Sequence, residues 1–424
     1  MRLTSANTGG AAMKILNIST LYPPNIIGGA ELGLRTISEA MVAKGHEVHV
    51  ATLQPPAQAG NSHDTTSGSV IVHPVPLANI YWPWDKKGTN KNPASRLVWH
   101  SIDTANFVMA NRVAAIVREV QPEVVLTRNL QGFSTAVMPA IKKTGVPLVH
   151  VLHDLALLCP KTTLYRNGRV CGLQSQRCTG CKVFTAPRHL HTNAADAVIG
   201  VSSAVLNRHL EHGLFSNRPT QVIHNALKSE LNISAPTLRN DVVTFGYLGR
   251  IEPSKGIETL LAAATRVQQQ GQRCRLLIAG RGNPAYVAQL QQRWPLHDIE
   301  FCGFVETASF LRRLDLLVFP TLAFEALGNG VFEAFSQGIP VLGANTGGIP
   351  EMINRGVNGY VFEAENSQQL SGLMQLLINV PTLRSALSAG ALATAPDYLA
   401  ANRAAEYLAF LEKIVATQRA GVLQ

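Results

Sequence analysis

The stretch FPTLAFEALGNGVFEAFSQGIPVLGANTGGIPEMINRGVNGYVF, residues 319–362, decides the fold. An apolar strand, Leu316-Leu-Val-Phe, ends at Pro320, and a loop carries Glu325. Glycines at 328 and 330 open a helix on which Glu333 rides, and Gly338-Ile-Pro340 stops it before the next strand, Pro340-Val-Leu-Gly. Strand, loop, helix and strand in this order make a βαβ unit. Near-continuous apolar strands separated by helices belong in a parallel sheet buried on both faces.

The same rhythm extends in both directions. In the second half, Val243-Thr-Phe-Gly-Tyr-Leu and Arg275-Leu-Leu-Ile-Ala read as further strands, with helices near 257–270, 331–337 and 368–379. In the first half, Ile15-Leu-Asn-Ile-Ser, Glu47-Val-His-Val-Ala-Thr, Glu123-Val-Val-Leu-Thr, Pro147-Leu-Val-His-Val-Leu and Ala197-Val-Ile-Gly-Val-Ser are strands, with amphipathic segments near 31–43 and 95–120. The alternation predicts an α/β protein of two doubly wound domains, 13–232 and 240–395, followed by a last segment, 396–418. The seam falls in the polar, Pro-broken stretch between them. Ligands of open α/β sheets sit outside the carboxyl ends of the strands, so two such domains facing each other create a cleft where the active site is expected.

A chain of 424 residues with 46% apolar and 15% charged residues fills real cores and excludes disorder and fibre. Its apolar runs fall far short of the ~18 residues that cross a bilayer. Residues 1–12 lack the apolar core of a secretory signal, and the six Cys then read as reduced thiols or metal ligands rather than staples. A cytoplasmic protein is the expectation. Residues 13–235 hold 21 Lys/Arg against 12 Asp/Glu, whereas 236–424 hold 15 of each. A basic first half favours an anionic partner such as phospholipid headgroups or a lipid diphosphate, with ordinary solubilising charge as the plain alternative. Nucleic acid is disfavoured, because no basic reading helix, RNP-like strand or zinc-finger spacing is present.

Several motifs carry chemistry. Glu325 and Glu333 flank a helix N-terminus whose free N–H groups suit a phosphate, and each carboxylate can accept hydrogen bonds from sugar or ribose hydroxyls. Tyr247-Leu-Gly-Arg250-Ile-Glu-Pro-Ser-Lys255-Gly256 places a guanidinium and an ammonium on a tight loop after a strand, where both can neutralise a diphosphate. Gly28-Gly29-Ala-Glu31 is a glycine loop opening a helix; neither it nor Gly280-Arg-Gly282 completes the dinucleotide-binding pattern, so a dehydrogenase is disfavoured. His153 and Asp154 stand at the carboxyl end of a strand. Cys159, Cys171, Cys178 and Cys181, within the insertion 158–182, close on a C-x2-C knuckle suited to a structural zinc, with reduced thiols or a redox disulfide as the other readings. Tyr81-Trp-Pro-Trp84, followed by Lys86, Lys87 and Lys91, suits either a membrane interface or a packed surface loop.

The segment 319–362 resembles the E-x7-E signature of the retaining glycosyltransferases of family four, which have the two-domain GT-B fold. The resemblance covers 13–410 and is specific in the second domain. It implies that Glu325 contacts the donor sugar, that Glu333 binds the nucleotide ribose, and that Gly328, Asn329, Gly330 and Val331 present backbone amides to the diphosphate. It further implies that Arg250 and Lys255 hold the diphosphate, and that Gly28 and Gly29 approach the phosphates and sugar. His153 would touch the donor sugar, and the loop Cys302-Gly-Phe-Val305, with Gly303 and Val305, would meet the nucleobase. Ala326 departs from the family, which usually has Gly or a polar residue there. The last helix would cross back to the first domain. The implied activity is transfer of a hexosyl unit from a UDP- or GDP-linked nucleotide sugar to a glycan or lipid-linked acceptor, with possible peripheral contact with anionic membrane. The chain contains no Asp-x-Asp, so protein cations are expected to replace a metal and no cofactor is required for catalysis. A nucleotide-sugar epimerase on the same architecture and a non-catalytic binding subunit are the rival readings.

Overall fold

A computed structural model describes residues 12–421 apart from 27, 56–64, 68, 85–91, 167, 172–178 and 228–241, and gives only the backbone of 65–67, 169 and 179–184. Ten strands fill the first half: β1 (Lys14–Ser19), β2 (Glu47–Gln54), β3 (Thr65–Ser67), β4 (Val70–Pro76), β5 (Val124–Thr127), β6 (Leu148–Leu152), β7 (Tyr165–Arg166), β8 (Arg169–Val170), β9 (Ala197–Gly200) and β10 (Thr220–Val222). Eight of them form one sheet in the order β10-β9-β6-β5-β1-β2-β4-β3, parallel except for the β3–β4 hairpin, while β7 and β8 pair separately. The second half supplies β11 (Val243–Leu248), β12 (Cys274–Ala279), β13 (Ile299–Gly303), β14 (Leu316–Phe319), β15 (Val341–Ala344) and β16 (Gly359–Phe362). They make an all-parallel sheet in the order β13-β12-β11-β14-β15-β16. Each sheet starts in its middle, grows to one side, then crosses over to the other. Both are therefore doubly wound, with switch points between β1 and β5 and between β11 and β14. The protein has the two-domain α/β GT-B fold.

The strands are apolar on both sides because both faces are covered. Ile15 of β1 packs with Leu34 and Ile37 of the helix Gly29–Ala43, whereas Leu16 and Ile18 point the other way, among Met109, Val113 and Val137. The final helix, Ala400–Arg419, leaves the second domain and lies against Gly29–Ala43, burying Tyr407, Leu411 and Ile414. Its end is tied down where Gln418 Nε2 donates to the Gly145 carbonyl at 2.6 Å.

The structure departs from the sequence reading in two places. The amphipathic stretch 95–120 is two helices, Pro93–Thr104 and Phe107–Val120, because Asn106 accepts a hydrogen bond from the Met109 amide at 3.1 Å and caps a fresh start. The strands β4, β10, β13 and β16 complete the sheets although the reading did not single them out. Pro74 and Pro76 of β4 are tolerated because β3 pairs only with Val70 to Val72, which leaves that half of the strand at an edge. Among the described residues, no single helix is long and apolar enough to cross a membrane.

Candidate active site

The proposed site residues of the second domain gather at the carboxyl ends of β11, β13 and β14. After β11 the chain turns through a short 3-10 helix, Pro253–Lys255, and Gly256 takes a left-handed conformation at φ 67°. An alanine methyl there would lie 1.9 Å from the Pro320 carbonyl oxygen, so this loop presses directly on the loop that follows β14. The amides of Leu322 and Ala323 both donate to the Ser254 carbonyl at 3.0 Å and lace the two loops together. This brings Lys255 Nζ to 2.6 Å from Glu325 Oε2, with both side chains largely enclosed. Arg250 behaves differently: its guanidinium is exposed and donates to Glu252 at 3.2 Å.

Glu325 is itself gripped from behind. Its carbonyl accepts the Gly348 amide at 2.9 Å, and a methyl on Gly347 would strike that carbonyl at 1.9 Å. Three residues on, Gly328 at φ 82° caps the helix Asn329–Phe335, where the Val331 amide, expected at the diphosphate, instead donates to the Gly328 carbonyl at 2.9 Å. Glu333 rides this helix half-buried, and burial pushes its carboxyl above the usual range. At the end of β13, Gly303 has a left-handed backbone at φ 67°, and Phe304 stands 75% exposed beneath the Arg281 guanidinium, 4.6 Å from its ring centre. Val305 is half-buried beside it.

From the first domain, Gly28 and Gly29 open the helix Gly29–Ala43, with the Gly28 amide donating to Glu31 at 2.9 Å. A methyl on Gly29 would fall 2.6 Å from Asn329 Nδ2, so the glycine loop of one domain faces the helix N-terminus of the other. Asn225 Nδ2 reinforces that contact by donating to Asn329 Oδ1 at 3.0 Å. A second bridge is made by Glu351, whose two oxygens accept the Ser203 and Ala204 amides at 2.7 Å, at the start of the helix Ser203–Leu210. Burial alone would raise that carboxyl, but the His224 imidazole, 3.7 Å away, and the hydrogen bonds from these amides hold it below the usual range.

His153 stands just beyond β6, and Arg128 Nη1 lies 2.9 Å from its Nε2. A guanidinium only donates, so Nε2 must accept and the proton belongs on Nδ1. Burial and the Arg128 charge together hold this imidazole neutral, well below its ordinary pKa. Arg128 is the residue that sequence reasoning missed; its position directly after β5, at the switch point of the first sheet, was the available signal. His153 and Arg128 line a cavity of about 380 Å³ that lies wholly within the first domain and is lined by none of Arg250, Lys255, Glu325 and Glu333. The structure thus unites Lys255 with Glu325, and Gly29 with Asn329, but leaves Arg250 on the surface. Of the four clustered cysteines, Cys159 is buried and Cys171 half-buried, both as free thiols. Cys178 and the Cys181 side chain lie outside the described residues, as do Lys86, Lys87 and Lys91.

Two facing doubly wound domains with these loops at their carboxyl ends have the architecture of the GT-B glycosyltransferases. Residues 27–231 match Glycosyltransferase Family 4 and residues 242–379 match Glycosyl transferases group 1. An uncharacterized 42.6 kDa protein in the cps region of Klebsiella pneumoniae is 30% identical over 351 residues, 83% of this chain and 90% of that protein. The chain therefore belongs to glycosyltransferase family 4. Among solved structures, sucrose-phosphate synthase from Thermosynechococcus elongatus superposes with a TM-score of 0.72 at 19% identity, over 95% of this chain and 99% of that one. Anabaena HepE in complex with UDP gives 0.68 at 20% identity, over 95% and 100%, and the same protein has been solved with UDP-glucose.

Proposed function

We propose that this glycosyltransferase moves a hexosyl unit from a nucleotide sugar to a glycan or lipid-linked acceptor with retention of configuration and without a metal. The observation that carries the reading is the Lys255–Glu325 pair at 2.6 Å, held by interlocked loops directly before the free helix end at Gly328 and Asn329. In this scheme Lys255, Arg250 and the helix amides take the charge of the departing nucleotide diphosphate, and such preorganised donors supply most of the rate. Glu325 accepts hydrogen bonds from the donor sugar, and Glu333 from the ribose. Exposed Arg250 swings from Glu252 onto the phosphates when the donor enters. A donor phosphate oxygen receives the acceptor proton as positive charge develops at the anomeric carbon, so no protein base is obligatory. His153, neutral with its proton on Nδ1, offers the sugar a hydrogen bond rather than a charge. The binding of UDP and UDP-glucose by Anabaena HepE supports a uridine donor.

The test is incubation with UDP- and GDP-sugars, alone and then with glycan acceptors, followed by mass spectrometry. Transfer only in the presence of acceptor, with the anomeric configuration kept in the product by NMR, is the expected result. Conversion of donor without acceptor would instead show an epimerase. Binding with neither conversion nor transfer would show a binding subunit.

A further inference from the structure

The first-domain cavity of about 380 Å³ is lined by Trp84, His100, Asp103, Arg128, His153 and Arg188. Its two arginines are in different states. Arg188 Nη1 donates to the Ala156 carbonyl at 3.0 Å, and Nη2 lies 4.0 Å from Asp103. Arg128 is 4% exposed, and its hydrogen-bond partners are both neutral: Asn17 Oδ1 at 3.3 Å from Nε, and the His153 imidazole at 2.9 Å from Nη1. Its Nη2 makes no hydrogen bond, and among the described residues it has no ion pair. Asp103 is committed elsewhere, to the Gly132 amide at 2.6 Å, and Asp154 accepts the Ala156 amide at 2.7 Å.

A buried charge without a counter-ion is costly, and the Tyr407 ring, 5.4 Å from the guanidinium, offsets only a part of that cost. Nε and Nη1 are engaged, but Nη2 has no partner, and a buried guanidinium in the wall of a cavity with donor capacity left over is matched by a carboxylate or a phosphate. The donor diphosphate already has Arg250, Lys255 and the helix end in the other domain. We propose that Arg128 makes this cavity an acceptor subsite that selects a sugar bearing an anionic group, either a uronic-acid carboxylate or a phosphate. The proposal rests on the transferase reading for the word acceptor, but the anion preference is a property of the cavity itself.

Calorimetric titration of the full chain with glucuronate, glucose 6-phosphate and glucose tests it, with and without saturating UDP. At least one acidic sugar should bind about tenfold or more tighter than glucose in both conditions, as a charge-assisted contact would give. Which acid is preferred identifies carboxylate or phosphate as the natural group. Arg128→Met should reduce the acidic sugar to the level of glucose while leaving UDP affinity intact. Should that variant fail to fold, Arg128→Lys keeps one charge and loses the fork, and should retain only part of the preference. Equal binding of the three sugars by the wild type, an unchanged preference in a folded Arg128 variant, or displacement of the acid by UDP would each overturn the proposal. Failure of the transferase reading shows separately, as absence of transfer with the acid preference intact.

Discussion

Lys255 and Glu325 are each other's nearest charge, so neither can be removed without leaving its partner enclosed and unpaired. Lys255→Ala and Glu325→Ala are each expected to lower kcat/KM on the order of 10²-fold or more, since in the proposed mechanism their contacts with the donor strengthen in the transition state. The double variant should lose less than the product of the two, because the residues act as one unit. Steady-state kinetics of the three variants measures this, and near wild-type rates in both single variants would remove the pair from the mechanism. These residues were legible in the sequence, since their positions follow from short loops after strands. Arg128 was not. Its significance lies in the absence of an ion pair to any of the cavity's carboxylates, Glu31, Asp103 and Asp154, and in its neutral partners Asn17 and His153 and the Tyr407 ring, all brought together only by the fold.

The elements that hold the pair depend on one glycine. Gly256 combines a left-handed backbone at φ 67° with a carbonyl oxygen 1.9 Å from where a methyl would sit. Gly256→Ala should therefore cost roughly 2 to 4 kcal/mol by strain and backbone displacement. A fall in Tm of several degrees with weakened nucleotide binding is the expected outcome, whereas an unchanged thermal melt would show that the two loops are not locked. In the second domain β11, β12, β14 and β15 were readable because these strands are apolar and their turns carry Gly or Pro, whereas the edge strands β13 and β16 were not singled out. What escaped reading were pieces whose identity is decided by neighbours. β4 contains two prolines that a strand accepts only at an edge, and the break at Asn106 costs no apolar periodicity.

At the scale of the molecule, a continuous apolar core joins the domains, and polar bridges such as the Glu351 clamp on the Ser203 and Ala204 amides and the Ser202 hydroxyl donating to the Ala326 carbonyl add to it. Glu351→Gln keeps the shape but loses the charge at the start of the helix Ser203–Leu210, a contribution of about 0.3 to 1 kcal/mol. A slightly lower Tm in thermal melts is expected; an unchanged Tm would show that Glu351 does not contribute to holding the domains together. The first-domain core adds a pH dependence. Burial presses His150 down to about 3 and His209 down to about 4, so both stay neutral in the fold while the unfolded chain takes up protons below about 6.5. Stability contributed this way is full above that value and falls as the pH drops, by roughly 2 kcal/mol per histidine between pH 7 and 5. A Tm that did not fall over this range would contradict it. The crossing helix Ala400–Arg419 has a consequence for synthesis. The apolar seam on Gly29–Ala43 is made within the first seconds of synthesis but covered only by residues 400–419, so a ribosome still translating the second domain carries an uncapped first one. Chaperone occupancy on nascent chains should accordingly persist until residues 400–419 have emerged from the ribosome.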